Sequence, residues 1–148
     1  MFHGTGLPPD ILLPLLESLR ADIAEIREAV AKVHMRMVGA SLLIVYEADW
    51  DRCREGLKYL LEAEAEEDDD EDENDDDDDD ENNGENGGKK PAAPYVVKLI
   101  DFAHTRFAPG QGPDEGVLTG IDTVLRLLDG RIQEVGTLSG SATPSECA

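Results

Sequence analysis

The sequence predicts an α+β fold, and three observations carry that expectation. Apolar residues recur at helical spacing from Leu12 to Val33, two short β-branched runs stand at 40–47 and 95–100, and a second helical pattern begins at Asp114. A long acidic stretch separates the two strand-like runs, so the foldable sequence comes in two pieces.

The first element is expected over Pro9 to Met37. Leu12, Leu16, Leu19, Ile23, Ile26, Val30 and Val33 alternate spacings of four and three, which keeps them on one helical face. Arg20, Glu25, Arg27, Glu28 and Lys32 fall on other faces. Asp10 is the expected N-cap, with Pro14 in the first turn, where a missing N–H is tolerated. Packing against its own domain is the expectation, because the stripe is short for a coiled coil; a dimer through residues 12–33 is the alternative.

Ala40 to Glu47 is apolar and β-branched between Gly39 and Asp49, and reads as a mostly buried strand. From Asp51 to about Ala65, residues Cys53, Leu57, Tyr59, Leu60 and Leu61 support a short helix. Glu62 to Glu85 then holds 18 of the 34 acidic residues and no Lys or Arg, so the −21 formal charge describes one segment and the rest carries −3. Like-charge repulsion without apolar side chains cannot offset the entropy of ordering, so this part is expected to be a disordered insertion. Closure entropy grows slowly with length, so such a loop is compatible with pairing the strands on either side.

Tyr95 to Ile100 reads as the second strand, ending at Asp101-Phe102-Ala103-His104-Thr105. A Gly/Pro loop over Ala108 to Pro113 follows, and Asp114 or Glu115 opens the last helix. Val117, Leu118, Ile121, Val124, Leu125 and Leu128 mark its buried side, with Gly130 as the expected stop. The organisation expected is an ordered unit over 1–65, a disordered acidic insertion over 66–90, a return to the same unit over 91–135, and a flexible tail over 136–148.

Composition excludes several function classes. Cys53 and Cys147 have no Cys or His at ligand spacing, so zinc is unsupported and a reduced intracellular protein is expected. Neither a signal peptide nor an apolar run of membrane-spanning length is present, so no membrane association is expected. The acidic tract repels phosphates, which argues against direct nucleic acid binding. No phosphate loop is present: Gly84 to Lys90 has the wrong spacing and no Ser or Thr after the lysine.

Asp101 is the carboxylate of interest. It stands where an apolar strand ends, a position that suits a Mg2+ ligand bridging nucleotide phosphates, although on geometry alone a carboxylate capping the next turn is the default reading. His104 reads by default as a structural or exposed histidine, and Ser41 as a satisfied hydroxyl within its strand.

Taken together, Ser41-Leu42-Leu43-Ile44-Val45-Tyr46-Glu47, an acidic insertion, Ile100-Asp101-Phe102-Ala103-His104-Thr105 and Pro113-Asp114-Glu115-Gly116-Val117-Leu118-Thr119-Gly120 resemble the inositol polyphosphate kinase family. The last matches that family's Asp-x-Gly-x-x-x-Gly segment, and Phe2-His3-Gly4-Thr5-Gly6 with the following helix resembles the stretch before its Ser-Leu-Leu strand. The Asp-Phe-Ala-His-Thr segment points to the multikinase or hexakisphosphate kinase branches. The resemblance implies the C-terminal lobe of a protein-kinase-like fold and ATP-dependent phosphorylation of inositol phosphates. Asp101 would bind Mg2+ on the ATP phosphates, Ser41 would help organise the catalytic centre, and His104 would lie near the transferred phosphate or the substrate. Cytoplasm and nucleus are the expected locations.

Two departures stand out. Ala40 occupies the position where the family usually has a second Ser, and the family's Pro-x-x-x-Asp-x-Lys-x-Gly substrate motif is absent from these 148 residues. On that basis the chain is expected to be a truncated kinase or an incomplete gene model, with reduced or no turnover alone. The alternative is a non-catalytic interaction protein whose acidic tract binds basic protein partners in a salt-dependent way.

Overall fold

In the computed structural model, residues 6–66 and 92–140 are described. The amphipathic stripe forms helix α1 (Pro9–Lys32), with Leu12, Leu16, Leu19, Ile23 and Val30 buried on one face. Those residues pack chiefly on the last helix, α3 (Glu115–Gly140), which buries Leu118, Ile121, Leu128 and Val135 toward them. The stripe is therefore spent within the chain. Each such side chain contributes about 1.5–3 kcal/mol by leaving water. Two bidentate pairs, Arg20 with Asp129 and Arg27 with Asp122, flank the seam and fix how the helices lie along each other.

Four strands follow from the two β-branched runs and two segments the sequence did not announce. Strand β2 (Ser41–Tyr46) pairs antiparallel with β3 (Tyr95–Ile100), from Ser41 opposite Ile100 to Tyr46 opposite Tyr95. Strand β1 (Met35–Met37) pairs antiparallel with β4 (Thr105–Phe107), with Arg36 opposite Arg106. Leu42, Ile44, Tyr46, Val97 and Leu99 turn toward the helices and pack on the core. Leu43, Val45 and Val96 occupy the other face and stay exposed. The strand at 41–46 is thus half buried rather than mostly buried, because one side of the two-stranded sheet has no layer over it among the described residues.

Helix α2 (Trp50–Glu66) connects toward the acidic insertion, with Cys53 and Leu57 buried. Burial pushes the Cys53 thiol up, with the Glu47 carboxylate adding to the shift, so it packs as a small apolar group. At Gly56 a Cβ would sit 2.5 Å from the Ala92 carbonyl oxygen, so glycine lets the chain re-enter the fold against this helix.

Several boundaries differ from expectation. Helix α1 ends at Lys32 instead of running to Met37, because residues 35–37 pair with β4. Pro8 takes the N-cap position without a side-chain bond, Asp10 lies inside the first turn, and Pro14 is inside the helix. Gly130 does not stop α3, which continues to Gly140; burial of Leu128 and Val135 outweighs a helical-glycine cost of about 1 kcal/mol. Residues 67–91 and 141–148 lie outside the described residues, and with them nearly all of the expected acidic insertion and the end of the expected tail. Among the described residues no helix is long and apolar enough to cross a membrane.

Candidate functional site

The site is built where β3 ends. Ser41 is the first residue of β2 and faces Ile100 across the ladder, so the Ser41 and Asp101 backbones are brought to the same end of the sheet. Asp101 then adopts the left-handed conformation, with φ 69° and ψ 55°, and is the one non-glycine at positive φ among the described residues. This conformation is disfavoured for a residue with a Cβ, though Asp tolerates it better than most. A 3-10 turn at Phe102–His104 follows, and β4 begins at Thr105.

The capping explanation for Asp101 fails. Its side chain makes no cap bond to the turn it precedes, and it is exposed. Its carboxylate has no hydrogen-bond or ion-pair partner among the described residues. Positive-φ backbone at a non-glycine residue concentrates at functional sites, which makes Asp101 the candidate here. His104 ends the 3-10 turn and is exposed, as is Ser41. The fold therefore gathers Ser41 and Asp101 at one sheet end, with His104 one turn further along the same segment.

What holds that segment in place was only partly legible. Asp114 Oδ2 accepts from the Met37 backbone N–H at 2.9 Å, while Oδ1 accepts from Gly116 and Val117 N–H at 3.1 and 3.3 Å. One carboxylate thus caps α3 and ties it to β1, the strand that pairs with β4. The Met37 N–H, followed by the two helix amides and Arg36, holds the Asp114 carboxyl below its ordinary range against the opposing effect of burial. Arg36 closes the same corner: Nη1 donates to the Met35, Gly112 and Pro113 carbonyls at 2.8, 2.9 and 3.2 Å, and Nη2 donates to Gln111 at 2.9 Å. His34 adds two further ties, its carbonyl accepting from Ala108 N–H at 2.8 Å and its Nδ1 from Gly110 N–H at 2.9 Å. Asp114 lay in a recognised segment; Arg36, a lone cation between two methionines, carried no signal in the sequence.

Behind this corner lies an apolar cavity of about 350 Å³ between Met37, Leu42, Leu99 and the first turns of α3. Asp114 is the ionisable residue lining it, and both its oxygens are already engaged. The other side chains lining the cavity are apolar or absent.

An α+β unit with an exposed aspartate at a strand end, followed by a Phe and a short turn, has the local layout of the Asp-Phe-Gly corner in protein kinases. The chain belongs to the inositol polyphosphate kinase family, whose model, described as inositol polyphosphate kinase, matches residues 10–129. It is 42% identical over 98 residues to the inositol polyphosphate multikinase of Saccharomyces cerevisiae (strain ATCC 204508 / S288c), covering 62% of this chain and 28% of that protein. Its fold matches the crystal structure of an inositol phosphate multikinase from S. cerevisiae, solved in complex with ADP and Mn2+, with a TM-score of 0.52 and 24% identity. That match covers 83% of this chain and 39% of the solved chain. The chain thus spans well under half the length of either relative.

Proposed function

We propose that this chain supplies the metal-binding half of an inositol polyphosphate kinase site, with Asp101 as the carboxylate that holds Mg2+ on the phosphates of ATP. The observation that carries the reading is the Asp101 turn: a left-handed, exposed aspartate whose carboxylate has no partner among the described residues. Mg2+ is commonly held by one or two carboxylates together with substrate phosphates, so a single free carboxylate fits a metal–nucleotide complex. It would not fit a metal held by protein alone, and no cluster of three or more potential ligands occurs among the described residues. The ADP and Mn2+ in the solved relative support the same pairing of nucleotide and divalent cation. When bound, the metal neutralises charge on the transferring phosphoryl group.

The chain's own residues have separable tasks in this reading. The ladder from Ser41 to Tyr46 fixes the end of β3 and so the direction in which Asp101 leaves it. Ser41, at that end, helps organise the centre from the neighbouring strand, and His104 offers an imidazole to the phosphate or to the acceptor hydroxyl. The substrate is an inositol phosphate and the reaction a phosphoryl transfer from ATP to one of its hydroxyls. Incubation with Mg2+-ATP and inositol trisphosphate or tetrakisphosphate tests this, with Asp101→Asn as the control. Turnover that needs Asp101 supports the reading, and turnover unaffected by the substitution refutes it.

A further inference from the structure

Arg106 stands out for its place in the β1–β4 ladder and for a side chain with no partner among the described residues. It stands directly opposite Arg36 in the β1–β4 ladder. Like charges facing each other across antiparallel strands destabilise the pair. Arg36 is fully occupied by the carbonyls of Met35 and of residues 111–113. Arg106 is exposed, and its side chain has neither an ion pair nor a hydrogen bond among the described residues. This is unusual in the molecule: Arg20, Arg27, Arg52, Arg54 and Arg131 each have a carboxylate within 4.0 Å. Arg126 also has no carboxylate partner among the described residues, yet it lies on the exposed face of α3 with no cation set opposite by a strand register.

The location adds to the case. Arg106 is five residues beyond Asp101, in the strand that leaves the candidate turn, and two beyond His104. Lys98, exposed on β3 three residues before Asp101, also has no partner among the described residues. The segment around the free carboxylate therefore carries uncommitted cations on both sides in sequence, in a chain with 34 acidic and 13 basic residues. An exposed guanidinium with no partner, on a strand residue set opposite a like charge, is suited to a dianion that would offset the charge and accept a bidentate bond.

We propose that Arg106 is a phosphate-binding residue for the phosphorylated polyol: it holds a phosphate of the inositol polyphosphate, while Asp101 serves the nucleotide's metal. This rests on the function proposed above and names a residue that would contact the substrate's phosphate. A bound phosphate would offset the like charges that the strand register sets side by side.

The test uses the full chain, with inositol hexakisphosphate as one probe and Mn2+-ADP as the other, both followed by amide NMR. Inositol hexakisphosphate is expected to shift the amides of residues 105–107 saturably. Arg106→Gln should weaken that binding about fivefold and flatten its salt dependence by roughly one charge, and Arg106→Lys should recover part of the loss. Thermal stability of Arg106→Gln should equal or exceed the parent's, which separates lost recognition from lost folding. Parent-like binding by Arg106→Gln, or no shift at 105–107 in the parent, overturns the inference. Mn2+-ADP broadening around Asp101 in the same samples reports separately on the metal site. If it persists while the Arg106 effect is absent, only the inference falls. If it is absent while Arg106→Gln weakens the polyphosphate, the metal assignment falls and the phosphate contact stands.

Discussion

Replacing Asp114 by Ala should unfasten the corner that holds the Asp101 turn. The substitution removes the acceptor for Gly116 and Val117 N–H at the start of α3 and for Met37 N–H on β1. Loss of an N-cap costs about 1 kcal/mol. Loss of a charged acceptor for a part-buried strand amide adds roughly 1.5 kcal/mol. The sum, about 2.5 kcal/mol, corresponds to a fall in Tm of about 10 °C for an ordered region of this size. Asp114→Asn keeps one carbonyl oxygen and should lose about half as much. The carboxyl is held below its ordinary range, so its contribution is present above the unfolded value of about 3.9 and is lost as pH falls through the lower folded value. Stability of the parent should therefore drop below about pH 4 more steeply than that of either variant. Thermal melts followed by circular dichroism between pH 3 and 7 measure all of this. A Tm for Asp114→Ala within about 2 °C of the parent would show that the clamp is not what holds β1 to α3.

Three further outcomes follow from particular contacts. Gly56→Ala should destabilise by about 1–3 kcal/mol despite alanine's better helix propensity, because its Cβ would lie 2.5 Å from the Ala92 carbonyl oxygen; a gain in urea midpoint would refute that close approach. Ile23→Ala, at a fully buried position on α1, should cost about 3–4 kcal/mol in urea unfolding; a loss under about 1 kcal/mol would mean the α1–α3 seam is not the core. Asp101→Gly should raise stability by up to about 1 kcal/mol, because glycine takes the left-handed conformation without strain. That gain should be accompanied by loss of metal–nucleotide binding, and destabilisation would show that the carboxylate has a structural partner.

Local patterns exposed much of this fold and long-range ones did not. Tyr95–Ile100 and Ser41–Tyr46 were readable because β-branched apolar runs bounded by Gly, Pro or Asp have few other uses. The α1 stripe was readable from spacing, and its packing within the chain from its shortness for a coiled coil, whereas α3 as its partner was not readable. Residues 35–37 were not readable: Met, Arg and Met suit a helix, and only pairing with residues seventy positions later makes them a strand. Their three-residue length leaves no periodic signal. Gly130 misled for a related reason, since a glycine's local cost is smaller than the burial of Leu128 and Val135 on either side of it. At the site, the Asp101 motif was visible in sequence but its left-handed backbone and free carboxylate were not, and these decide against the capping role. Arg36 and Arg106 stayed hidden because the meaning of each depends on what stands across the ladder.

The account stands most directly on Asp101 as a metal ligand at the nucleotide phosphates. Electron paramagnetic resonance of Mn2+ titrated into the full chain with ADP, compared with Asp101→Asn, measures this. The account predicts a bound Mn2+ signal that requires ADP and is lost in Asp101→Asn while the circular dichroism spectrum is unchanged. A Mn2+-ADP signal of equal strength in the substituted chain would contradict it.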